Sequence, residues 1–150
     1  MGQGPANRLQ PRVGAGDGAA SLRKDHRGDI ALAKQELQQA IKLFTEANGV
    51  VDTWIGHFDL GRAYIEGQAF AQADSEFDRC IKRRGEALLL VDEDPTYGYL
   101  PPAYYYLARA REGLQAAGFA DSYAAYLAIR GESAEDPVVR EVRRRVRIEH

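Results

Sequence analysis

Residues 57–84 read HFDLGRAYIEGQAFAQADSEFDRCIKRR. Leu60 and Gly61 stand one helical turn before Tyr64. Ala73, Phe77 and Cys80 repeat that spacing further on, with Gly67 between the two groups. Small residues at Gly61 and Ala73 let two antiparallel helices approach closely, and Leu60, Tyr64 and Phe77 are large enough to fill the space around the contact. The stretch predicts a helical hairpin: a first helix over 53–66 capped by Asp52 or Thr53, a turn at Gly67, and a second helix from residue 70. The apolar stripe of Phe77, Ile81, Leu88 and Val91 carries that second helix past Gly85 to residue 91.

Helical spacing extends in both directions from this hairpin. Upstream, Ile30, Ala33, Leu37, Ala40, Ile41 and Phe44 share one face, which predicts a continuous helix over 29–46, closed by Asn48-Gly49. Downstream, residues 92–101 (DEDPTYGYLP) read as a loop, because Pro95, Gly98, Pro101 and Pro102 oppose a continuous helix. Helices are then expected over 102–113, 119–130 and 137–148. Tyr104, Leu107, Ala108 and Ala110 repeat His57, Leu60, Gly61 and Ala63 at an offset of 47, with Arg111 where Tyr64 stands. On the helix over 119–130 two registers remain open. Either Ala120, Ala124 and Leu127 point inward, or a slip around Gly118 turns Phe119, Tyr123 and Tyr126 inward. The last helix has Asp136 as cap, Pro137 in its first turn, and a narrow stripe of Val138, Val139, Val142 and Val146 among arginines.

At 150 residues, 45% apolar and 28% charged, the chain has the make-up of one ordinary globular domain. No apolar run approaches the ~20 residues that span a bilayer, and the N-terminus lacks a secretory pattern. A cytoplasmic location without a membrane partner is therefore expected. Cys80 alone excludes an internal disulfide and a cysteine-based zinc cluster. The net charge of −2 hides a gradient. Arg8, Arg12, Arg23, Lys24 and Arg27 face only Asp17 and Asp25 in residues 1–27. Five arginines face only Glu141 and Glu149 in residues 137–150. An acidic body between two basic ends is not the footprint of a nucleic-acid binder. Residues 1–18 (MGQGPANRLQPRVGAGDG) bury too little apolar surface to offset chain entropy. They are expected to be disordered or loosely attached, leaving 19–150 as the helical domain. Gly14, Gly16 and Gly18 lack the preceding strand and βαβ unit that a dinucleotide loop requires.

The order of a bulky residue, Leu60-Gly61, Tyr64, Ala73 and the aromatic Phe77 resembles the tetratricopeptide (TPR) repeat. The resemblance covers residues 28–130. Gly28, Ala33, Leu37 and Ala40 match the turn and second helix of a preceding repeat, whose first helix would fall at 14–27. On this reading the chain starts halfway through a repeat, either as a piece of a longer protein or as a domain with an atypical cap. Residues 83–114 look like the C-terminal portion of longer bacterial TPR proteins, some of which carry enzymatic domains upstream. The implied fold is all-α, with antiparallel helix pairs in a short right-handed solenoid closed by a polar C-terminal helix. The implied function is non-enzymatic binding of a protein or peptide, with no cofactor. The alternative is a regulatory or oligomerising segment of a larger protein. That segment would form a homodimer through Ile30, Leu37 and Ile41 where no first helix covers them.

In TPR proteins the first helices line a concave groove. By position, the resemblance places Ile55, Phe58, Asp59, Arg62, Ile65 and Glu66 there in one repeat, and Pro102, Tyr105, Tyr106, Arg109 and Glu112 in the next. Arg62 and Arg109 are equivalent and flanked by Phe58 and Tyr105, a pairing that binds tightly at low entropy cost. The peptide-binding set implied is Phe58, Asp59, Arg62, Glu66, Tyr105, Tyr106 and Arg109. Internal pairing of the arginines with Asp59 and Glu112 competes with this, and the residues leave both open. The TPR subclass that clamps acidic chaperone tails carries Lys and Asn in the groove, and this chain has neither there. Tyr104 is expected in the core, and Tyr97 and Tyr99 either fold over the groove or pack the loop.

Nothing in the sequence assembles catalytic chemistry: there is no Ser/His/Asp set, no His-x-x-x-His and no pair of acids on one face. Cys80 sits where the family places a small buried residue, and His57 where it places a bulky one, so packing is implied for both. Asp92, Glu93 and Asp94 precede Pro95 as a solvated turn. The Arg140–Arg147 cluster fits either a helix dipole or a phosphate contact.

Overall fold

The computed structural model describes Lys24 and residues 27–34, 36–86, 100–131 and 135–147. The N-terminal segment 1–18, the acidic turn, Tyr97 and Tyr99, and Leu88 and Val91 lie outside the described residues. Among the described residues the regular elements are helices. Residues 27–33 are helical, followed by α1 (Leu37–Val50), α2 (Trp54–Glu66), α3 (Phe70–Lys82), α4 (Leu100–Gly113), α5 (Phe119–Arg130) and α6 (Pro137–Arg147). Each helix from α1 to α6 packs on the next, and α2 also packs on α4. First helices therefore lie beside first helices, as in a solenoid of helix pairs.

The expected helix over 29–46 is in fact two. The chain leaves helical geometry at Lys34 and re-enters it at Leu37. The Lys34 amide bonds to the Ile30 carbonyl and the Glu36 amide to the Ala31 carbonyl. The turn between α2 and α3 is built the same way, with Gly67, Gln68 and Ala69 amides on the Ala63, Ile65 and Tyr64 carbonyls. So is the turn after α4, where Leu114, Gln115 and Ala116 bond to Ala110, Glu112 and Arg111. Residues 27–33 thus belong to the first helix of the first repeat, which runs past the expected end at residue 27; apart from Lys24, also helical, and Arg27, the expected span 14–27 lies outside the described residues. Gly28 is not a turn residue. It is buried inside the first helix, where a Cβ would stand 2.6 Å from the Phe44 ring. Gly61 meets Phe77 in the same way, at 2.7 Å. Gly28/Phe44 and Gly61/Phe77 lie 33 residues apart in sequence, close to the ~34-residue family period.

Three further boundaries differ from expectation. The helix expected to run to residue 91 ends at Lys82, followed by a turn over 83–85. Helix α4 begins at Leu100, so Pro101 and Pro102 lie in its first turn, where an absent N–H leaves no hydrogen bond unmade. Helix α5 adopts the second of the two open registers: Ser122, Tyr123 and Tyr126 are buried and Ala124 is exposed. Gln68 and Gln115 both take positive φ, at 57° and 52°. After Gln115 and Ala116, two more residues, Ala117 and Gly118, precede the helix, and Gly118 is left-handed at φ 89°. These two residues rotate α5 and bring the tyrosines inward.

The core has three parts. Trp54, Phe58, Phe77 and Leu107 centre the middle one. Leu43, Phe44 and Leu60 form the N-terminal one, and Tyr123, Tyr126, Val139 and Val142 the C-terminal one. Thr53 caps α2 by accepting from the Gly56 amide, and Asp136 caps α6 by accepting from the Val138 amide at 2.8 Å. The Trp54 indole donates to the Cys80 carbonyl at 2.8 Å, tying the start of α2 to the end of α3. Cys80 itself is buried, and that burial pushes its thiol up to about 12, well away from the thiolate form that reacts.

Candidate functional site

The expected groove residues are placed by the two faces of α2. Leu60 packs toward the first repeat, while Phe58 and Ile65 pack toward the third. Arg62 and Glu66 are left at the edge between them. They line an open hollow of about 730 Å³ with Asp29, Leu32, Ala33, Leu37 and Tyr106. These residues come from the first helices of three successive repeats and from the start of α1. Asp29 and Arg62 are separated by the same 33 residues as the paired glycines.

Arg62 donates to Asp59 at 3.2 Å, one turn back on the same helix. Burial works against its charge, but Asp59, Tyr106 and Asp29 outweigh that and hold the guanidinium protonated. Asp59 is itself buried. Phe58 is only 2% exposed: it stacks on Trp54 and meets Phe77 and Tyr106 edge-on. Tyr106 lies flat against Phe77 at 5.5 Å between centroids, so one part of it is core and another lines the hollow. Tyr105 contacts Tyr106 and Tyr126, and Arg109 sits over its ring at 5.9 Å, a cation–π geometry. Tyr104 is half-buried and packs on the C-terminal core.

Of the seven sequence-derived residues, the structure thus brings Arg62, Glu66 and Tyr106 to one hollow. It buries Phe58 and Asp59 beside it and pairs Tyr105 with Arg109. Glu112, offered as a partner for Arg109, instead accepts from Tyr123 and Arg145. Asp29, Leu32, Ala33 and Leu37 were not foreseen in the hollow. The signal that locates them is the 33-residue spacing of Gly28, Ala40 and Phe44 with Gly61, Ala73 and Phe77, which sets Asp29 in register with Arg62.

His57, assigned to packing, carries a polar network as well. It is 6% exposed, with Nδ1 at 2.5 Å from Glu76 Oε2 and Nε2 at 2.7 Å from Asp52 Oδ1. Two carboxylates on the two ring nitrogens favour the imidazolium, and the Glu76 hydrogen bond raises its pKa above the ordinary value against the pull of burial. Arg83 reaches the same Asp52 oxygen at 2.6 Å and also grips Glu86. Among the described residues no group of His, Cys, Asp and Glu is arranged to hold a metal ion, and no helix is long and apolar enough to cross a membrane.

No family model matches the sequence, and no curated protein matches it. Among solved structures the chain is similar to the TPR domain of Arabidopsis OM64, with a TM-score of 0.69 and 18% identity. The match covers 89% of this chain and 99% of that domain. With three helix-turn-helix units among the described residues, equivalent turns and first helices side by side, this chain has the all-α fold of a tetratricopeptide domain.

Proposed function

We propose that the chain is a non-enzymatic scaffold that holds a protein segment against its first helices. The observation that carries this reading is the hollow shared by Asp29, Arg62, Glu66 and Tyr106, which draws on three successive repeats. A bound segment would set a carbonyl or carboxylate on Arg62 and Arg109 and an apolar side chain on Leu32, Leu37 and Tyr106. Arg62 and Arg109 are equivalent in the repeat, and both retain partial exposure. The hollow is shallow and mixed in character, as suits an extended chain rather than a small molecule.

Panning a displayed random-peptide library on the protein tests this. Selected peptides should bind the native chain and lose binding to an Arg62→Ala, Arg109→Ala variant whose circular dichroism is unchanged. Equal binding to both would remove the groove. Self-association is the second reading, favoured by Ile30, which is 43% exposed, with Leu37 and Ile41 half-buried on the helix that follows. Light scattering that shows a dimer lost on Ile30→Asp would select it.

A further inference from the structure

The outer face of α6 has a charge pattern of which the fold uses only Arg143. Arg140, Arg143, Arg144 and Arg147 recur at i, i+3, i+4 and i+7, so they share one helix face. They line a shallow hollow of about 410 Å³. Arg140, Arg144 and Arg147 are exposed. Among the described residues no carboxylate pairs with them; Glu141 and Glu112 are both taken by Arg145, on a different face. Arg143 donates to the Gly131 carbonyl, which holds the middle of the stripe against the end of α5. The apolar face of the same helix is spent on the fold, since Val139 and Val142 are fully buried.

The helix dipole accounts for only part of this pattern. Arg144, Arg145 and Arg147 lie in the last turn, where cations are favoured. Arg140 lies in the first turn, near the positive end of the dipole, where a cation is disfavoured. Four adjacent guanidinium groups also repel one another. An anionic partner removes both penalties.

We propose that this stripe docks an acidic protein segment. Seven residues of helix span only ~10 Å, matching carboxylates one or two helical turns apart, or alternate residues of an extended chain. Each guanidinium fork fits a carboxylate with two hydrogen bonds. A nucleic-acid backbone fits less well: it would run past the stripe over the acidic body of the molecule, and the stripe holds no aromatic ring for a base to stack on. A membrane fits less well because the valines that would insert are already buried. The proposal is independent of the concave hollow.

Fluorescence anisotropy of labelled octaglutamate with the full chain at low salt tests it. The expected result is saturable binding, weakened by added salt and by about tenfold or more in Arg140→Gln, Arg144→Gln, Arg147→Gln. Circular dichroism should be unchanged, because all three side chains face solvent. Absence of octaglutamate binding overturns the proposal, as does equal binding by the triple variant. Tighter binding of a short DNA duplex, or of phosphatidylserine vesicles, overturns it in favour of that partner. Loss of octaglutamate binding on Arg62→Ala, Arg109→Ala, with the triple variant still binding, overturns it by moving the acidic ligand to the concave surface.

Discussion

One glycine and one histidine show how single residues hold this fold. The Phe77 ring occupies the space that a side chain on Gly61 would need, with the nearest ring atom 2.7 Å from a Cβ. Gly61→Leu should therefore cost about 1–3 kcal/mol or more by overpacking, read as a lower denaturation midpoint with the cooperativity retained. His57 should make stability depend on pH. Its pKa is raised in the folded chain by Glu76 first and Asp52 second, with Arg83 and Arg79 balancing those acids from α3 and the turn beyond it. The folded state therefore holds the proton more tightly than the unfolded chain. The stabilisation is complete below the unfolded value of about 6.5 and is lost as pH rises through the raised folded value. Asp52 sets the opposite limit: the Arg83 hydrogen bond lowers its pKa, so its contribution disappears as pH falls through that lowered value. Melting temperature should fall as pH rises above neutrality, and His57→Gln should flatten that slope. A slope unchanged in the variant would assign it to other groups.

At the scale of the element, turns decide which faces helices present. The two turns at Gln68 and Gln115 share hydrogen bonds and a left-handed glutamine, yet Ala117 and Gly118 follow only the second. Gly118 at φ 89° takes a conformation that costs an L-residue about 1–2 kcal/mol. Gly118→Ala should lower stability by that amount, measured by urea denaturation. Deleting Ala117 and Gly118 together should be worse, because it would turn Tyr123 and Tyr126 out of the core and Ala124 into it.

The whole molecule is a stack in which each end needs a cover. At the C-terminal end α6 supplies it: Val139 and Val142 close over Ala108, Tyr123 and Tyr126. Arg145 joins Glu112, which also accepts from Tyr123, so α4, α5 and α6 meet at one carboxylate. Val142→Ala should cost about 2 kcal/mol. Removing residues 137–150 should expose the tyrosine face, lower the melting temperature and raise binding of an apolar dye. A chain equally stable and equally dye-free without α6 would show that the helix is an appendage and not a cap.

Local chemistry was legible in the sequence alone. The first helix at 53–66, the start of its partner at residue 70, the Thr53 and Asp136 caps, the start of α5 and the Leu60, Gly61, Ala73, Phe77 contact all depend on residues within a few turns of one another, and periodicity reports such relations. The break that opens at Lys34 was not legible, because the AKQEL stretch from Ala33 to Leu37 contains no helix breaker and its apolar spacing runs on across the turn. Only packing divides it: two short antiparallel helices bury Gly28 against Phe44, which a single straight helix cannot do. The same limit applies to the site. His57 and Glu76 are 19 residues apart, Arg83 and Asp52 31 apart, and Arg62 shares its hollow with Asp29 of the preceding repeat. Sequence spacing constrains which face of a helix a residue occupies, but which other face it meets, and whether Phe58 ends in the core or in the groove, is set by how the helices stack.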